Sequence, residues 1–396
     1  MCSDKRPEQG AHAGGFPDRR DRTMTAACAA RVPTLAGRAL AATLMSALAI
    51  CWPAAAAEGG ERLLMRVELK GGTVAGTPLA WSASNAMLLA RDGRLWEFSP
   101  QRDKYEKTTQ RFRSYSITDM KSRLQQELGK QFEVTSNGPY LVCHPSGQRD
   151  LWGRRFEELY RSFYHYFGVR GFKPRSPEFP LVAVVLPDRR AFVQFAARDG
   201  HQVSSSVLGY YSPTTNRIAL YDVTGGKSGS SAWHVNAETI IHEATHQTAY
   251  NTGIHSRFAQ QPRWIVEGLG MLFEAPGVWN SRSHTRLDDR INQERLRDFR
   301  RYVQSGRAAG PLADYVGNDR LFDTAPLDAY AEAWALTFFL VETQPRKYFE
   351  YLTRVADRED FSAYPAGERL ADFADVFGDN FRMLESRYLR FIDQLP

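Results

Sequence analysis

The sequence predicts an α+β protein in which a mixed sheet and a central helix follow a small β-module and precede a mainly helical region. Short β-prone segments separated by glycine occupy residues 58–115. Strand-like and helix-like segments alternate over residues 116–282, and helical periodicity dominates residues 283–396. The 396 residues are 43% hydrophobic and 24% charged, which is typical of a folded globular chain.

Residues 1–57 have the features of a presequence that ends in a signal peptide. Arg31 and Arg38 precede an apolar stretch over residues 39–52, which is too short for a comfortable transmembrane span. Small residues follow at 53–57, so cleavage is expected after Ala57. We therefore expect an exported protein, periplasmic or secreted, whose mature chain has no stable membrane span. An uncleaved N-terminal anchor is the alternative.

Cysteine content and charge narrow the possible functions. Three of the four cysteines lie within residues 1–57, and the mature chain would keep only Cys143. An internal disulfide framework is therefore excluded, and Cys143 is expected to be a buried residue in an apolar strand. The formal net charge is +6. No dense run of Lys and Arg lies beside aromatic residues, so nucleic acid is not expected as a partner.

The expected elements follow in chain order. In the β-module, which could close as a barrel, β-prone segments lie at residues 64–69, 86–90 and 95–98. In the next region, apolar periodicity predicts helices at 117–132, 151–167 and 189–198 and strands at 140–143, 181–186 and 217–221. The run at 181–186, bounded by prolines, is expected to be a fully buried central strand. Later helices are expected at 327–342, 346–356 and 375–392.

The sequence His242-Glu243-x-x-His246 follows an apolar run and is the strongest functional signal. Residues four apart lie on one face of a helix, so both imidazoles can reach a single metal ion. Asn236 is expected to cap a helix over residues 237–250, which would hold the motif inside the helix. Glu243 can then meet a metal-bound water without being a ligand, as in a zinc-dependent hydrolase.

A two-histidine site needs a third protein ligand if zinc is to keep one position open for water. The candidate is Glu267, within a second helix expected at Arg263–Glu274. A turn over residues 251–261 would let the two helices pack together, so that Glu267 could point at the metal. Gly268 and Gly270 favour a close approach of the helices, at some cost in helix propensity.

The histidine motif, followed by Trp264-x-x-Glu267-Gly268, resembles the gluzincin clan of zinc metallopeptidases. It is most similar to a bacterial extracytoplasmic peptidase family described as a domain of unknown function. The resemblance covers about residues 139–340 and implies that both motif histidines and Glu267 bind Zn²⁺. It also implies that Glu243 is the catalytic base.

The resemblance has further implications outside the zinc ligands. Gluzincins often carry a transition-state donor on a later helix, and Tyr330 is the candidate for binding the oxyanion; the alternative is that Tyr330 only packs in a helix. A strand before the motif helix pairs with extended substrate in related enzymes, a role that residues 216–221 would take. Gly270 stands where many gluzincins carry alanine, which is expected only to loosen the packing.

Two further side chains near the motif are expected to be solvated. His255 is predicted to be a solvated loop residue, although it could line the site. Glu274 is predicted to be a solvated helix carboxylate, although it could orient a ligand histidine.

The leading hypothesis is an exported zinc metallopeptidase acting on peptide or protein substrates. Zn²⁺ would lower the pKa of its bound water to about 7, and Glu243 would take a proton as this water attacks the scissile carbonyl. The alternative is a non-catalytic, zinc-stabilised binding protein of the cell envelope with the β-module as its partner surface; a fourth protein ligand would favour it. The sequence carries no signal for substrate identity or oligomeric state.

Overall fold

The computed structural model describes residues 61–396 apart from residues 148, 224–229 and 308–310. The fold is α+β, with one five-stranded sheet in the N-terminal part, a second in the middle and helices after it. The predicted presequence and its cleavage position lie outside the described residues. Across those residues, no helix is both long and apolar enough to cross a membrane.

The N-terminal β-module is an antiparallel sheet with the strand order β4-β3-β2-β1-β5. Its strands are β1 (Leu63–Leu69), β2 (Gly72–Trp81), β3 (Ala86–Ala90), β4 (Leu95–Phe98) and β5 (Tyr105–Arg111). The sequence did not predict β2 or β5; β5 was missed because its side chains are mostly polar and exposed. Phe98 and Tyr105, on opposite edges, have ring centroids 6.1 Å apart. The sheet is thus strongly curled, but its backbone pairing is open and not that of a closed barrel.

The β-module is fastened to the rest of the protein at its β3–β4 turn. The buried guanidinium of Arg257 donates to the carbonyl of Gly93 at 2.7 Å and to that of Pro213 at 3.0 Å. The N–H of Leu95 donates to the carbonyl of Thr214 at 2.7 Å. These bonds hold the module against the loop that connects the last two strands of the second sheet.

The second sheet is mixed and has the strand order β6-β7-β8-β10-β9. Its strands are β6 (Phe132–Asn137), β7 (Tyr140–Pro145), β8 (Leu181–Leu186), β9 (Gly209–Ser212) and β10 (Arg217–Tyr221). The parallel strands β7, β8 and β10 lie inside, and β6 and β9 are antiparallel edges. The prediction of β8 as the central strand is confirmed. The prediction that residues 216–221 pair with substrate is wrong, because β10 is bonded on both sides and β9 forms the edge.

Helices cover both faces of this sheet. They are α1 (Ile117–Leu128) and α3 (Arg189–Arg198) on one face, and α2 (Arg149–Gly168) and α4 (Ser230–Asn251) on the other. Alternate residues of β8 enter the two apolar clusters, as the two-residue period of a strand requires. Helix α1 ends four residues earlier than predicted because Gly129 adopts a φ of +81° and β6 begins soon after.

Helix α4 begins at Ser230, so Asn236 lies inside the helix and is not its N-cap. The side chain of Asn236 instead donates to Asp222 Oδ1 at 3.0 Å and accepts the N–H of Val223 at 3.2 Å. Asparagine is a common cap residue because its side chain bonds nearby main-chain groups. Here the same capacity ties the helix to the end of β10.

The remaining helices form the C-terminal part. They are α5 (Arg263–Glu274), α6 (Pro276–Trp279), a 3₁₀ turn (Asp288–Arg290), α7 (Gln293–Gln304), α8 (Leu312–Gly317), α9 (Arg320–Thr324), α10 (Pro326–Thr343), α11 (Pro345–Ala356), α12 (Ala366–Phe377) and α13 (Phe381–Asp393). The single helix predicted at 375–392 is wrong. Gly378, with a φ of +99°, ends α12, and Asn380 caps α13 by accepting the N–H of Met383 at 2.9 Å.

Helices α5 and α10 approach closely at Gly268. A Cβ at this position would lie 2.6 Å from the carbonyl oxygen of Ala333 and 2.1 Å from Thr337 Oγ1. No side chain larger than hydrogen therefore fits without a shift of α10. The close approach predicted from the glycines is confirmed here, and it fixes the position of the preceding residue, Glu267.

Candidate metal centre

Two imidazoles from α4 and one carboxylate from α5 converge on one point. The Nε2 atoms of His242 and His246 lie 2.8 Å apart. Oε2 of Glu267 lies 3.4 Å from the first nitrogen and 3.6 Å from the second. The structure thus brings together all three side chains that were predicted as metal ligands, and all three are buried.

The geometry of these three atoms fits a tetrahedral cation. Ligand atoms that lie about 2.0–2.1 Å from a tetrahedral ion are about 3.3 Å from one another, and the observed separations of 2.8, 3.4 and 3.6 Å bracket this value. Oε2 of Glu267 is buried and makes no hydrogen bond within the described part of the chain. A buried carboxylate oxygen needs a partner, and a divalent cation at this point would be one.

The charge state of Glu267 also suits a metal ligand. Burial by itself raises the pKa of this carboxyl, but the imidazoles of His242 and His246 more than offset this effect and hold its pKa below the usual range. Glu267 is therefore an anion at neutral pH, as a carboxylate ligand must be.

The ring of His242 is oriented by a second carboxylate. Its Nδ1–H donates to Glu274 Oε1 at 2.8 Å, and Oε2 of Glu274 accepts Nδ2–H of Asn292 at 2.7 Å. Asn292 also caps α7 by accepting the N–H of Arg295 at 3.2 Å. A proton on Nδ1 leaves the Nε2 lone pair of His242 available to a metal. Glu274 is thus an orienting residue and not the solvated carboxylate that was the first expectation.

Gly270 makes room for the same ring. A Cβ at this position would lie 2.7 Å from Cε1 of His242 and 3.0 Å from both of its ring nitrogens. The prediction that glycine here only loosens the packing is wrong, because the imidazole of His242 occupies the space that an alanine methyl would need. The sequence spacing of α5 could not reveal which side chain faces Gly270.

Glu243, next to the first ligand, faces the edge of the second sheet. Its Oε2 accepts the main-chain N–H of Tyr211, in β9, at 2.6 Å. Burial has the largest effect and raises the pKa of Glu243. The imidazoles of His242 and His246 lower this pKa and the carboxylate of Glu267 raises it, so that the pKa lies above the usual value of a glutamate. A buried carboxylate that is held by one main-chain donor and has a raised pKa is a stronger base than an exposed one.

The predicted donor Tyr330 lies on α10, the helix that packs against α5. It is buried, and its ring is edge-on to Phe322 at a centroid distance of 5.4 Å. It lies one helical turn before Ala333, whose carbonyl oxygen contacts Gly268. Its assignment as an oxyanion donor stays a prediction.

His255 is buried, with 1% of its surface exposed, and the expectation of a solvated loop residue is wrong. Gly253, with a φ of +79°, reverses the chain after α4, and the N–H groups of Ile254 and His255 both donate to the carbonyl of Ala249 at 3.1 Å. Burial, followed by the nearby His246, lowers the pKa of His255 to about 3. Neither of its ring nitrogens has a hydrogen-bond partner among the described residues.

Three contributors to the site were missed by reasoning from the sequence. They are the main-chain N–H of Tyr211, the amide of Asn292 and the ring of Tyr250, which packs against His255 at 5.3 Å. Tyr250 left a visible signal, since it follows His246 by one helical interval of four residues. The other two act through contacts between segments distant in the chain, which residue spacing does not record.

Residues 236–362 match a family model described as "Protein of unknown function (DUF1570)". No curated protein matches the chain. The matched segment includes all three converging side chains, the whole of α5, and α10 with Tyr330. The similarity therefore covers the candidate metal centre, and the family description gives no activity for it.

Proposed function

We propose that the protein is a zinc-dependent peptidase that hydrolyses peptide bonds. The observation that carries this proposal is the convergence of two imidazole nitrogens and one carboxylate oxygen, 2.8–3.6 Å apart, beside the carboxylate of Glu243. Two histidines and one glutamate suit Zn²⁺ and are typical of catalytic sites, which keep one position open. When bound, the ion would polarise a substrate carbonyl and make water more acidic.

The number of ligands supports a catalyst over a zinc-stabilised binding protein. Among the side chains that the structure describes, three and not four offer an atom to the metal group. Structural zinc sites are almost always closed by four protein ligands. The arrangement therefore favours hydrolysis over the alternative of a purely binding role.

Glu243 is the group that we propose moves the proton. The bond from Tyr211 N–H fixes its carboxylate, and the raised pKa makes it a better base. In hydrolysis, the oxygen of one water bonds to the carbonyl carbon and the carbon–nitrogen bond breaks. Glu243 accepts a proton from this water and returns it to the leaving nitrogen, so the carboxylate ends the cycle unchanged.

An extended peptide is the substrate class that we propose for this site. The N–H of Tyr211 points away from β10 and toward Glu243, and in an extended strand the carbonyl of the same residue points to the same side. The outer edge of β9, a strand whose four residues are buried, thus carries main-chain groups beside the base. A peptide laid along this edge would gain main-chain hydrogen bonds and bring a carbonyl past Glu243.

Cysteine chemistry is a poor competitor for the same role. Cys143 is buried in β7, and burial raises the pKa of its thiol to about 12, so little thiolate forms near neutral pH.

We also propose that the protein acts outside the cytoplasm, because residues 1–57 contain a charged segment, an apolar segment and a run of small residues in that order.

The test is a comparison of Glu243→Gln with the wild-type protein on a mixed peptide library. We expect the variant to bind zinc as the wild type does and to lose hydrolysis, because the amide cannot accept the proton. Wild-type activity should be abolished by a chelator and restored by Zn²⁺. Glu350→Gln, a change at an exposed glutamate of α11, is the matched control and should remain active. Full activity of Glu243→Gln, or activity that survives chelation, would contradict the proposal.

A further inference from the structure

We propose that Tyr250 is a further catalytic residue, whose phenol donates a hydrogen bond to the substrate carbonyl oxygen as that oxygen gains negative charge. This inference rests on the proposed peptidase function and deepens it. It assigns the role of oxyanion donor to a residue on α4, the helix that carries His242 and His246. The resemblance to gluzincins implied that Tyr330, on α10, has this role.

Tyr250 lies on the face of α4 that carries the two histidines. His242, His246 and Tyr250 follow one another at intervals of four residues, so their side chains lie in one row. Long side chains on a helix lean toward its N-terminus, over the preceding turn. The Cα atoms of His246 and Tyr250 are separated by about 6 Å along the axis, and a phenol leaning back covers that distance.

The ring of Tyr250 is held between two other rings. It stacks on Tyr211 at a centroid distance of 5.6 Å and an interplanar angle of 26°, and it packs against His255 at 5.3 Å. The hydroxyl of Tyr211 donates to Asn216 Oδ1 at 2.8 Å, so the supporting ring is itself fixed. Because the N–H of Tyr211 binds Glu243, a single residue positions both the base and the proposed donor.

The phenol of Tyr250 has the properties that a donor needs. The residue is partly exposed, whereas the three proposed ligands are buried. No hydrogen bond of its hydroxyl is formed within the described part of the chain. Burial, the neighbouring Tyr211 and the carboxylate of Glu267 all raise its pKa. The phenol therefore keeps its proton at neutral pH.

The chemical role needs no net proton transfer. The hydrogen bond strengthens as the carbonyl oxygen becomes an oxyanion and weakens when the carbon–nitrogen bond breaks, and the proton stays on Tyr250. A donor of this kind stabilises the transition state more than the ground state, so its loss lowers kcat and leaves KM nearly unchanged.

The experiment uses Tyr250→Phe in the full chain loaded with Zn²⁺. Phenylalanine keeps the stacking with Tyr211 and His255 and removes only the hydroxyl. We expect kcat to fall about 100-fold, as for the loss of one oxyanion donor, with KM and zinc affinity as in the wild type. Tyr105→Phe, in an aromatic cluster of the β-module, is the matched control. The second readout is the affinity for a phosphinic dipeptide, a tetrahedral anion, which should fall in parallel with kcat.

The outcomes separate this inference from the proposed function. If the wild type hydrolyses peptides through Glu243 but Tyr250→Phe keeps wild-type kcat, this inference is overturned and the peptidase proposal stands. A loss confined to Tyr330→Phe, or a parallel loss of zinc affinity in Tyr250→Phe, also overturns it. If the wild type hydrolyses no peptide, the proposed function fails. In that case, a phosphinate affinity that is still lower in Tyr250→Phe than in the wild type would support the donor role of Tyr250 without the peptidase function.

Discussion

Replacing Gly270 with alanine tests whether the space beside His242 controls metal binding. The added methyl would lie 2.7 Å from Cε1 of the ring, whereas ordinary contact begins at 3.4 Å. The imidazole would have to retreat by about 0.7 Å, and metal–ligand distances tolerate deviations of only about 0.2 Å. The same retreat would stretch the 2.8 Å bond to Glu274 beyond hydrogen-bond range.

The expected effect is selective for the metal-bound protein. Loss of ring orientation should lower zinc affinity about 10- to 100-fold, as for other groups that orient a ligand histidine, which corresponds to about 1.4–2.8 kcal/mol. In the metal-free protein no metal–ligand bond opposes a shift of the His242 ring. There the higher helix propensity of alanine, about 1 kcal/mol, opposes the remaining steric cost.

The assay is competition with a coloured zinc chelator, together with thermal unfolding in the presence and absence of Zn²⁺. Gly367→Ala in α12 is the matched control, because a Cβ there meets no atom within 4 Å. This control should bind zinc as the wild type does and gain up to about 1 kcal/mol in both forms. Wild-type zinc affinity in Gly270→Ala would refute the reasoning, since it would mean that the ring moves at no cost to the site.

Three further predictions concern two groups near the centre and one at the contact of the β-module. Glu274→Ala should lower zinc affinity about 10- to 100-fold by freeing the ring of His242, and an unchanged chelator competition would contradict this role. His255 has a pKa of about 3 in the folded protein and of about 6.5 in the unfolded chain. As the pH falls, the unfolded chain therefore binds a proton before the folded protein does. The wild type should lose stability as the pH falls from 6.5 toward 3. Between pH 7 and pH 5, the free energy of unfolding measured in urea should fall by about 2 kcal/mol more in the wild type than in His255→Phe. Parallel pH profiles of the two proteins would exclude this effect. Arg257→Met should destabilise the protein by about 1–3 kcal/mol by leaving two carbonyls of the module contact without their donor, and an unchanged melting temperature would contradict that.

Much of the candidate site was predictable because its central pattern is local. The four-residue spacing of His242 and His246 places both rings on one helix face whatever surrounds the helix. Glu267 was predictable because Arg263–Glu274 reads as a second helix after a short turn, and that helix has the predicted bounds. Core strands such as Leu181–Leu186 were predictable for a similar reason, since a continuous apolar run requires burial on both faces.

The failures share a physical cause. The edge strand β9 has only four residues and lies next to β10, so the sequence did not separate the two strands or reveal which one forms the edge of the sheet. His255 looked like a loop residue because burial depends on the chain reversal at Gly253, which brings it back against Tyr250. The local composition of the sequence does not show which residues come into contact when the chain reverses its direction.

The sequence by itself determined the residue types of the centre and the helices that carry them, because helical periodicity relates neighbours along the chain. Only the tertiary structure decided that Tyr211 holds Glu243, that Asn292 supports Glu274, and that His242 fills the space above Gly270. These contacts join segments whose separation in sequence carries no information about distance. They arise when sheet register and helix packing bring the segments together, and they decide which side chains near a metal can act on a substrate.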